Sequence, residues 1–289
     1  MNTMDQIKKT ADVIKKIRPV YQPILDFYSQ VFLAQEESRS HIELSSIIIS
    51  SDLLAMKQES QLPLIDPSEF LIDMDETGVL FVKICDLARD LAPELSRGAQ
   101  VLKGALQEKT FELETVITAI LNNQDAVLEQ QAGKSDVPVS ELIFFTYSSM
   151  VPSLQACSEQ LETYLPPLAE IKKGYCPICG NPPDMAFFDE DGKRHLKCSF
   201  CSHRWNVGRM GCVFCENNDK DQQLYFFSDE EKEYRVNLCD HCRQYIKVVD
   251  LRKMDRAFFP ALELVSSLHL DIKARKKGYR NGSSMASDA

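Results

Sequence analysis

A chain of 289 residues, 44% hydrophobic and 26% charged, carries enough apolar material for one to three globular domains and is neither fibrous nor low-complexity. The formal net charge of -10, with a pI of about 5.1, excludes a protein that coats nucleic acid or an anionic membrane through its overall charge, although a local basic patch remains compatible with it. No apolar run approaches the ~18 residues that span a bilayer, and the stretch from Met1 to Thr10 has neither an apolar core nor twin arginines, so a cytoplasmic protein without an export signal is expected. In a reducing compartment ten cysteines argue against a disulfide framework, and their clustering points to metal or redox chemistry.

Residues 1–172 read as a helical domain. Tyr21, Leu25, Tyr28 and Phe32 recur at three- and four-residue steps, as do Leu80, Ile84, Leu87 and Leu91, and then Leu113, Val116, Ile120 and Val127. Pro63, Pro67, Pro93, the stretch 133–138 and Pro152 punctuate these runs, which predicts a bundle of about six to eight helices. Cys85 and Cys157 fall in helical contexts and read as buried structural thiols. The Pro166-Pro167 pair and the glycine at 174 then mark a domain boundary.

Beyond it the sequence repeats. Residues 173–210 run Cys176-Pro-Ile-Cys179, an apolar strand ending in Phe187-Phe188, an acidic turn, a second strand, Cys198-Ser-Phe-Cys201 and Trp205. Residues 211–252 repeat the order with Cys212-Val-Phe-Cys215, a strand ending in Phe226-Phe227, an acidic turn, a second strand, Cys239-Asp-His-Cys242 and Tyr245. A short strand over Tyr245–Val249, a C-terminal helix within 253–278 and a disordered tail at 279–289 complete an α+β chain.

A C-x-x-C turn places two sulfurs on one ion, and a hairpin brings a second turn to face it, completing a tetrahedron. The 18 residues between Cys179 and Cys198 suit such a four-cysteine ribbon, and the 23 between Cys215 and Cys239 still allow a hairpin. Matching units favour sequential sites, Cys176, Cys179, Cys198 and Cys201 in one and Cys212, Cys215, Cys239 and Cys242 in the other; a cross-brace is the alternative. Gly180 supplies the positive φ that turns backbone N–H groups toward sulfur, whereas Ser202, Glu216 and Arg243 stand at the equivalent positions of the other turns. Two metal ions per chain are expected, and four sulfurs suit iron and zinc alike. His203 and His241 lie in or beside the turns but are not needed as ligands. No phosphate-binding glycine loop, H-E-x-x-H or G-x-S-x-G is present, so no catalytic residues and no enzyme activity are expected.

This region resembles the formate dehydrogenase accessory protein FdhE family, a helical part followed by two rubredoxin-like modules. The resemblance rests on Tyr175-Cys-Pro-Ile-Cys-Gly180 with Pro182, Leu196-Lys-Cys-Ser-Phe-Cys201, the stretch from Trp205 to Arg209, Cys212-Val-Phe-Cys-Glu216, Cys239-Asp-His-Cys242, Tyr245-Ile-Lys-Val248 and the helix that follows. It covers residues 174–250 and implies a non-catalytic cytoplasmic factor that contacts the catalytic subunit of a molybdenum- or tungsten-dependent formate dehydrogenase during maturation or activation. It also implies rubredoxin-type iron in the two four-cysteine sites. The partner would be that subunit, with no membrane span and no nucleic acid, and weak homodimerisation is allowed. Two other classes compete. One is a rubredoxin-type electron carrier. The other is a nucleic-acid-binding zinc ribbon, for which Lys193, Arg194, Lys197, Arg204 and Arg209 would supply the charge.

Overall fold

Asn2 opens the first helix, α1 (Thr3–Ile17), by accepting from the Met4 backbone N–H, and Ile7, Thr10, Ala11 and Ile14 form its buried stripe. The computed structural model describes residues 2–165, 173–228 and 231–283, which divide into two compact units. Met1–Ile47 with Asp66–Cys157 form one, and Ile48–Ile65 with Ser158–Ala289 the other. Among the described residues, the helices that follow before the cysteine region are α2 (Gln22–Arg39), α3 (Ser51–Glu59), α4 (Met74–Leu91), α5 (Ser96–Gln107), α6 (Leu113–Leu121), α7 (Asp125–Ser135) and α8 (Val139–Glu162); the Pro166-Pro167 boundary lies outside the described residues. The helical reading of this part therefore holds. None of the described helices is long and apolar enough to cross a membrane.

The helix signals are local. Asp73 caps α4 by accepting from the Glu76 N–H, Asp75 and Glu76 sit where the helix dipole favours negative charge, and Leu80, Phe81, Ile84, Cys85 and Ala88 are buried. Cys85 and Cys157 are both buried; burial raises the Cys85 thiol to about 12, and the Cys157 thiol donates to the Leu71 carbonyl at 3.3 Å.

Pro152, read from the sequence as a break, lies inside α8. Proline has no N–H to offer the carbonyl of Ser148, one turn earlier. The Gln35 side chain, from α2, donates to that carbonyl at 2.7 Å instead. Gln35→Leu is thus expected to cost about 1–3 kcal/mol, the penalty of a buried acceptor left without its donor. Adding Pro152→Ala, which returns the backbone N–H, should recover most of the loss in urea unfolding. Equal loss in the single and double variants would show that Gln35 acts otherwise.

In the second unit a mixed sheet holds β1 (Pro183–Phe188), β2 (Arg194–Cys198), β3 (Arg204–Val207), β4 (Gln223–Ser228), β5 (Glu231–Cys239), β6 (Gln244–Asp250) and β7 (Arg280–Asn281). Its order is β3-β2-β1-β6-β5-β4, and β7 pairs with β6. β6 is the seam. It runs antiparallel to β5, with Val248 opposite Arg235, and parallel to β1, with Val248 opposite Ala186. The two repeated hairpins thus share one sheet.

Alternation along the strands sends Met185, Phe187, Tyr234, Val236, Leu238, Tyr245 and Val249 to one face, where they pack with Leu270, Ala274 and Tyr279. These last three come from α10 (Leu268–Lys276) and the turn after it; α9 (Pro260–Val265) precedes it. The single C-terminal helix expected within 253–278 is therefore two. They part at Ser266 and Ser267, whose hydroxyls turn back to the Glu263 carbonyl. Of the expected tail, residues 284–289 lie outside the described residues, while Arg280 and Asn281 form β7.

This face buries charge in satisfied clusters. Lys247 donates to Asp271 at 2.7 Å and to the Leu264 carbonyl at 3.0 Å, and the Tyr245 hydroxyl donates to the same carboxylate at 2.9 Å. Glu263, wholly buried, receives the Arg256 guanidinium at 2.5 and 2.9 Å and the Tyr234 hydroxyl.

Candidate metal centres

The C-x-x-C turns are built alike. In the first, Cys176 N–H donates to the Asn181 carbonyl at 2.9 Å and Gly180 N–H to the Cys176 carbonyl at 2.8 Å. Cys198 ends β2, and its sulfur accepts from the Phe200 and Cys201 N–H groups at 3.3 and 3.4 Å. In the second hairpin Cys212 N–H reaches the Asn217 carbonyl at 2.9 Å, Phe214 N–H reaches the Cys212 sulfur at 3.4 Å, and Cys239 ends β5.

The residue after each turn has positive φ: Gly180 at 75°, Ser202 at 63°, Glu216 at 58° and Arg243 at 57°. Three L-residues bearing side chains thus accept a sparsely populated conformation at the same place. The repeated strain is what aims the turn's N–H groups inward. Only the glycine announces this in the sequence.

The hairpins close the turns into two groups: Cys176, Cys179, Cys198 and Cys201, and separately Cys212, Cys215, Cys239 and Cys242. Within each group all sulfurs lie inside 4.8 Å of one another. Sequential grouping, not a cross-brace, is what the chain forms. In the first group Cys176–Cys201 is 3.7 Å, Cys179–Cys198 3.5 Å and Cys179–Cys201 3.6 Å. In the second, Cys212–Cys242 and Cys215–Cys239 are both 3.7 Å. A disulfide would need about 2.05 Å. Sulfurs ~2.3 Å from a central ion in a tetrahedron stand about 3.8 Å apart, so the donor set fits zinc or iron without rearrangement. One side-chain amide attends each group, Asn181 to Cys179 and Gln223 to Cys239, each at 3.5 Å.

The surroundings differ. All four sulfurs of the first group belong to buried residues, whereas only Cys239 is buried in the second. Burial pushes the Cys176 and Cys198 thiols well above the ordinary range and Cys212 up to about 11, while the hydrogen-bonded contacts of Cys179 with Cys176, Cys198 and Cys201 pull it far down. Four thiolates cannot share such a space unaided, and a bound cation is what would let all of them ionise.

The histidines have other roles. His203 pairs with Glu162 at 2.8 Å and stacks over Trp205, and burial lowers its proton affinity. Trp205 is buried and donates to the Lys173 carbonyl. His241 is exposed, and no histidine joins either group among the described residues.

The segment Ile48–Ile65 supports the first centre in a way the sequence does not advertise. Leu64 and Ile65 donate to the carbonyls of Pro177 and Ile178, inside the first turn, at 3.0 and 2.9 Å, and Tyr175 reaches the Gln61 carbonyl. Pro63 lies where a Cβ on Gly180 would touch it at 3.0 Å. The apolar Pro63-Leu-Ile65 triplet is the one available signal.

The five basic residues of the first hairpin do not form one patch. Arg194 is 3% exposed and donates to the Gly211 carbonyl, next to Cys212. Lys197 is buried against Asp184 at 2.6 Å. Lys193 is exposed beside Asp191, Arg204 lies over Phe187, and Arg209 lies over Phe188 on the opposite face. Strand alternation separates them.

A family model described as the FdhE central domain matches residues 175–209, which include the first four-cysteine group. The chain is 28% identical over 276 residues to the Protein FdhE homolog of Aquifex aeolicus (strain VF5), covering 92% of this chain and 89% of that protein. It is 27% identical over 203 residues to Protein FdhE of Escherichia coli O127:H6, covering 68% of this chain and 61%, less than two thirds, of that protein. The crystal structure of the FdhE protein from Pseudomonas aeruginosa superposes with a TM-score of 0.66 at 17% identity, covering 97% of this chain and 95% of that one, which shows a shared fold. With a matching family model on the first cysteine group and a relative aligned along nearly its whole length, the chain is similar to the FdhE proteins in sequence and shares the fold of one of them.

Proposed function

We propose that the protein is a non-catalytic cytoplasmic accessory factor that binds the catalytic subunit of a molybdenum- or tungsten-dependent formate dehydrogenase and supports its maturation. On this reading Cys176, Cys179, Cys198 and Cys201 hold one ion and Cys212, Cys215, Cys239 and Cys242 the other, iron or zinc. A helical domain over 1–172 precedes two metal modules, 173–210 and 211–252. Similarity to the FdhE proteins supports the role. The observation that carries it is the closure of both cysteine groups: with four sulfurs around each position no coordination site is left for substrate, so the ions would stiffen a surface rather than perform hydrolysis. A rigid surface binds with little ordering cost.

Tagged protein from its native host is expected to co-purify with the catalytic subunit. Deletion of the gene should abolish formate dehydrogenase activity while the enzyme polypeptide persists. Normal activity in a deletion strain lacking a second copy would sink the assignment. The partial exposure of the second group favours one further reading, a rubredoxin-type electron carrier. It requires a reversible iron couple in the native protein, and zinc in both centres would exclude it.

A further inference from the structure

β4 ends the sheet, and among the described residues no strand pairs with its outer edge. Natural edge strands are shielded by charge, proline or a bulge facing outward. β4 reads Gln-Leu-Tyr-Phe-Phe-Ser, with neither a charged residue nor proline and with its register against β5 regular from Gln223 to Phe227, shifting only between Phe227 and Ser228, and Leu224, Tyr225 and Phe227 are 44%, 61% and 56% exposed. Tyr225 and Phe227 share one face and stack on each other with centroids 6.2 Å apart.

The same face is cationic. The Arg235 guanidinium, on the neighbouring β5, lies 5.9 Å from the Tyr225 ring and 4.8 Å from Phe188, and Arg209 and Arg252 gather over Phe188 at 5.8 and 5.6 Å. Arg252 is neutralised by Asp250 through two bonds of 2.8 Å. Arg235 keeps a buried Nε with no hydrogen-bond partner, and Arg209 makes no ion pair with a described residue. Two arginines that make no ion pair with a described residue, Arg235 feeling Asp250 only at longer range, beside two exposed aromatic rings are the composition of a protein-binding hot spot.

The geometry points to β4 as the docking edge for an extended, acidic segment of a partner polypeptide, added as a further antiparallel or parallel strand with its carboxylates toward Arg209 and Arg235. Main-chain pairing would supply register-independent affinity, and alternate side chains would meet the aromatic–arginine face. A second copy of this chain fits poorly, because two-fold pairing of β4 strands places arginine faces together on chains that each carry -10. A chain of that charge also opposes nucleic acid. The inference rests on the accessory reading only in naming a client polypeptide as the source of the segment.

The test uses the full-length, metal-loaded protein and labelled octapeptides in fluorescence anisotropy. A peptide alternating Val and Glu should bind saturably and more weakly as salt rises. Its Val–Lys counterpart and a backbone-methylated Val–Glu peptide should not bind. Tyr225→Ser with Phe227→Ser, and separately Arg209→Glu, should each weaken binding about tenfold or more with unchanged metal content. These side chains are exposed, so folding is preserved. No saturable binding, equal binding of the lysine peptide, or tight binding of a short single-stranded oligonucleotide in its place would overturn the proposal. Capture of the catalytic subunit separates the two readings. Equal capture by wild type and the Tyr225/Phe227 variant overturns the docking edge and leaves the accessory role. Peptide binding without any capture does the reverse.

Discussion

Cys198→Ser is expected to leave the protein with about one metal ion per chain in place of about two, the first centre empty and the second filled. Cys198 faces Cys179 across 3.5 Å, and its sulfur takes the N–H groups of two neighbours, so its loss removes both a donor and the alignment of its turn. A structural four-sulfur site contributes on the order of 10 kcal/mol when filled, which makes this the largest single effect available. The second centre should survive because its sulfurs lie in a separate group and its hairpin packs on α10 through Tyr234, Val236 and Leu238. Combining Cys198→Ser with Cys239→Ser should empty both, read by elemental analysis after gel filtration. An ion retained by that double variant would place the two cysteines in one site.

Glu263→Gln should be the most damaging substitution away from the cysteines. It strips the charge partner from Arg256, whose guanidinium is buried; burial alone would lower its proton affinity, and the Glu263 carboxylate reverses that and holds it raised. Removing one member of a buried pair typically costs about 3–5 kcal/mol. For a unit of this size the midpoint should fall on the order of 10 °C in calorimetry. A second variant separates charge from packing: Glu263→Leu with Arg256→Met removes both charges and should restore much of the loss. A Glu263→Gln midpoint within a degree or two of wild type would mean that Arg256 finds water.

The metal centres are legible in the sequence because a C-x-x-C turn is local geometry and a hairpin needs only spacing. The helical part is legible for the same reason, in runs such as Leu80, Ile84 and Leu87. What is hidden is long-range. β6 looks like an ordinary terminal strand, yet it is buried on both faces and carries Lys247, a residue that argues for solvent until Asp271 is placed beside it. Nothing near Pro152 reveals that Gln35 stands ready to replace its missing N–H. Arg194 and Lys197 read as surface charge because the sequence does not show the carbonyl and the carboxylate that take them inward. Ser202, Glu216 and Arg243 hide their strain because ordinary residues rarely adopt it, and only the repeat of the turn would suggest it.

The parallel seam between β1 and β6 bears on how the chain is made. All four sulfurs of the first group have been synthesised by residue 201, yet β1 has no partner on its second edge until Asp250 follows, about 50 residues and several seconds later at ~5–20 residues per second. During that interval the nascent first hairpin exposes an open strand of its own, Met185 to Phe188, with its apolar face uncovered because α10 does not yet exist. A metal ion captured early would hold that hairpin against misassociation while the ribosome finishes the rest. Metal supply during translation would then govern the yield of folded protein, more than supply to the completed chain.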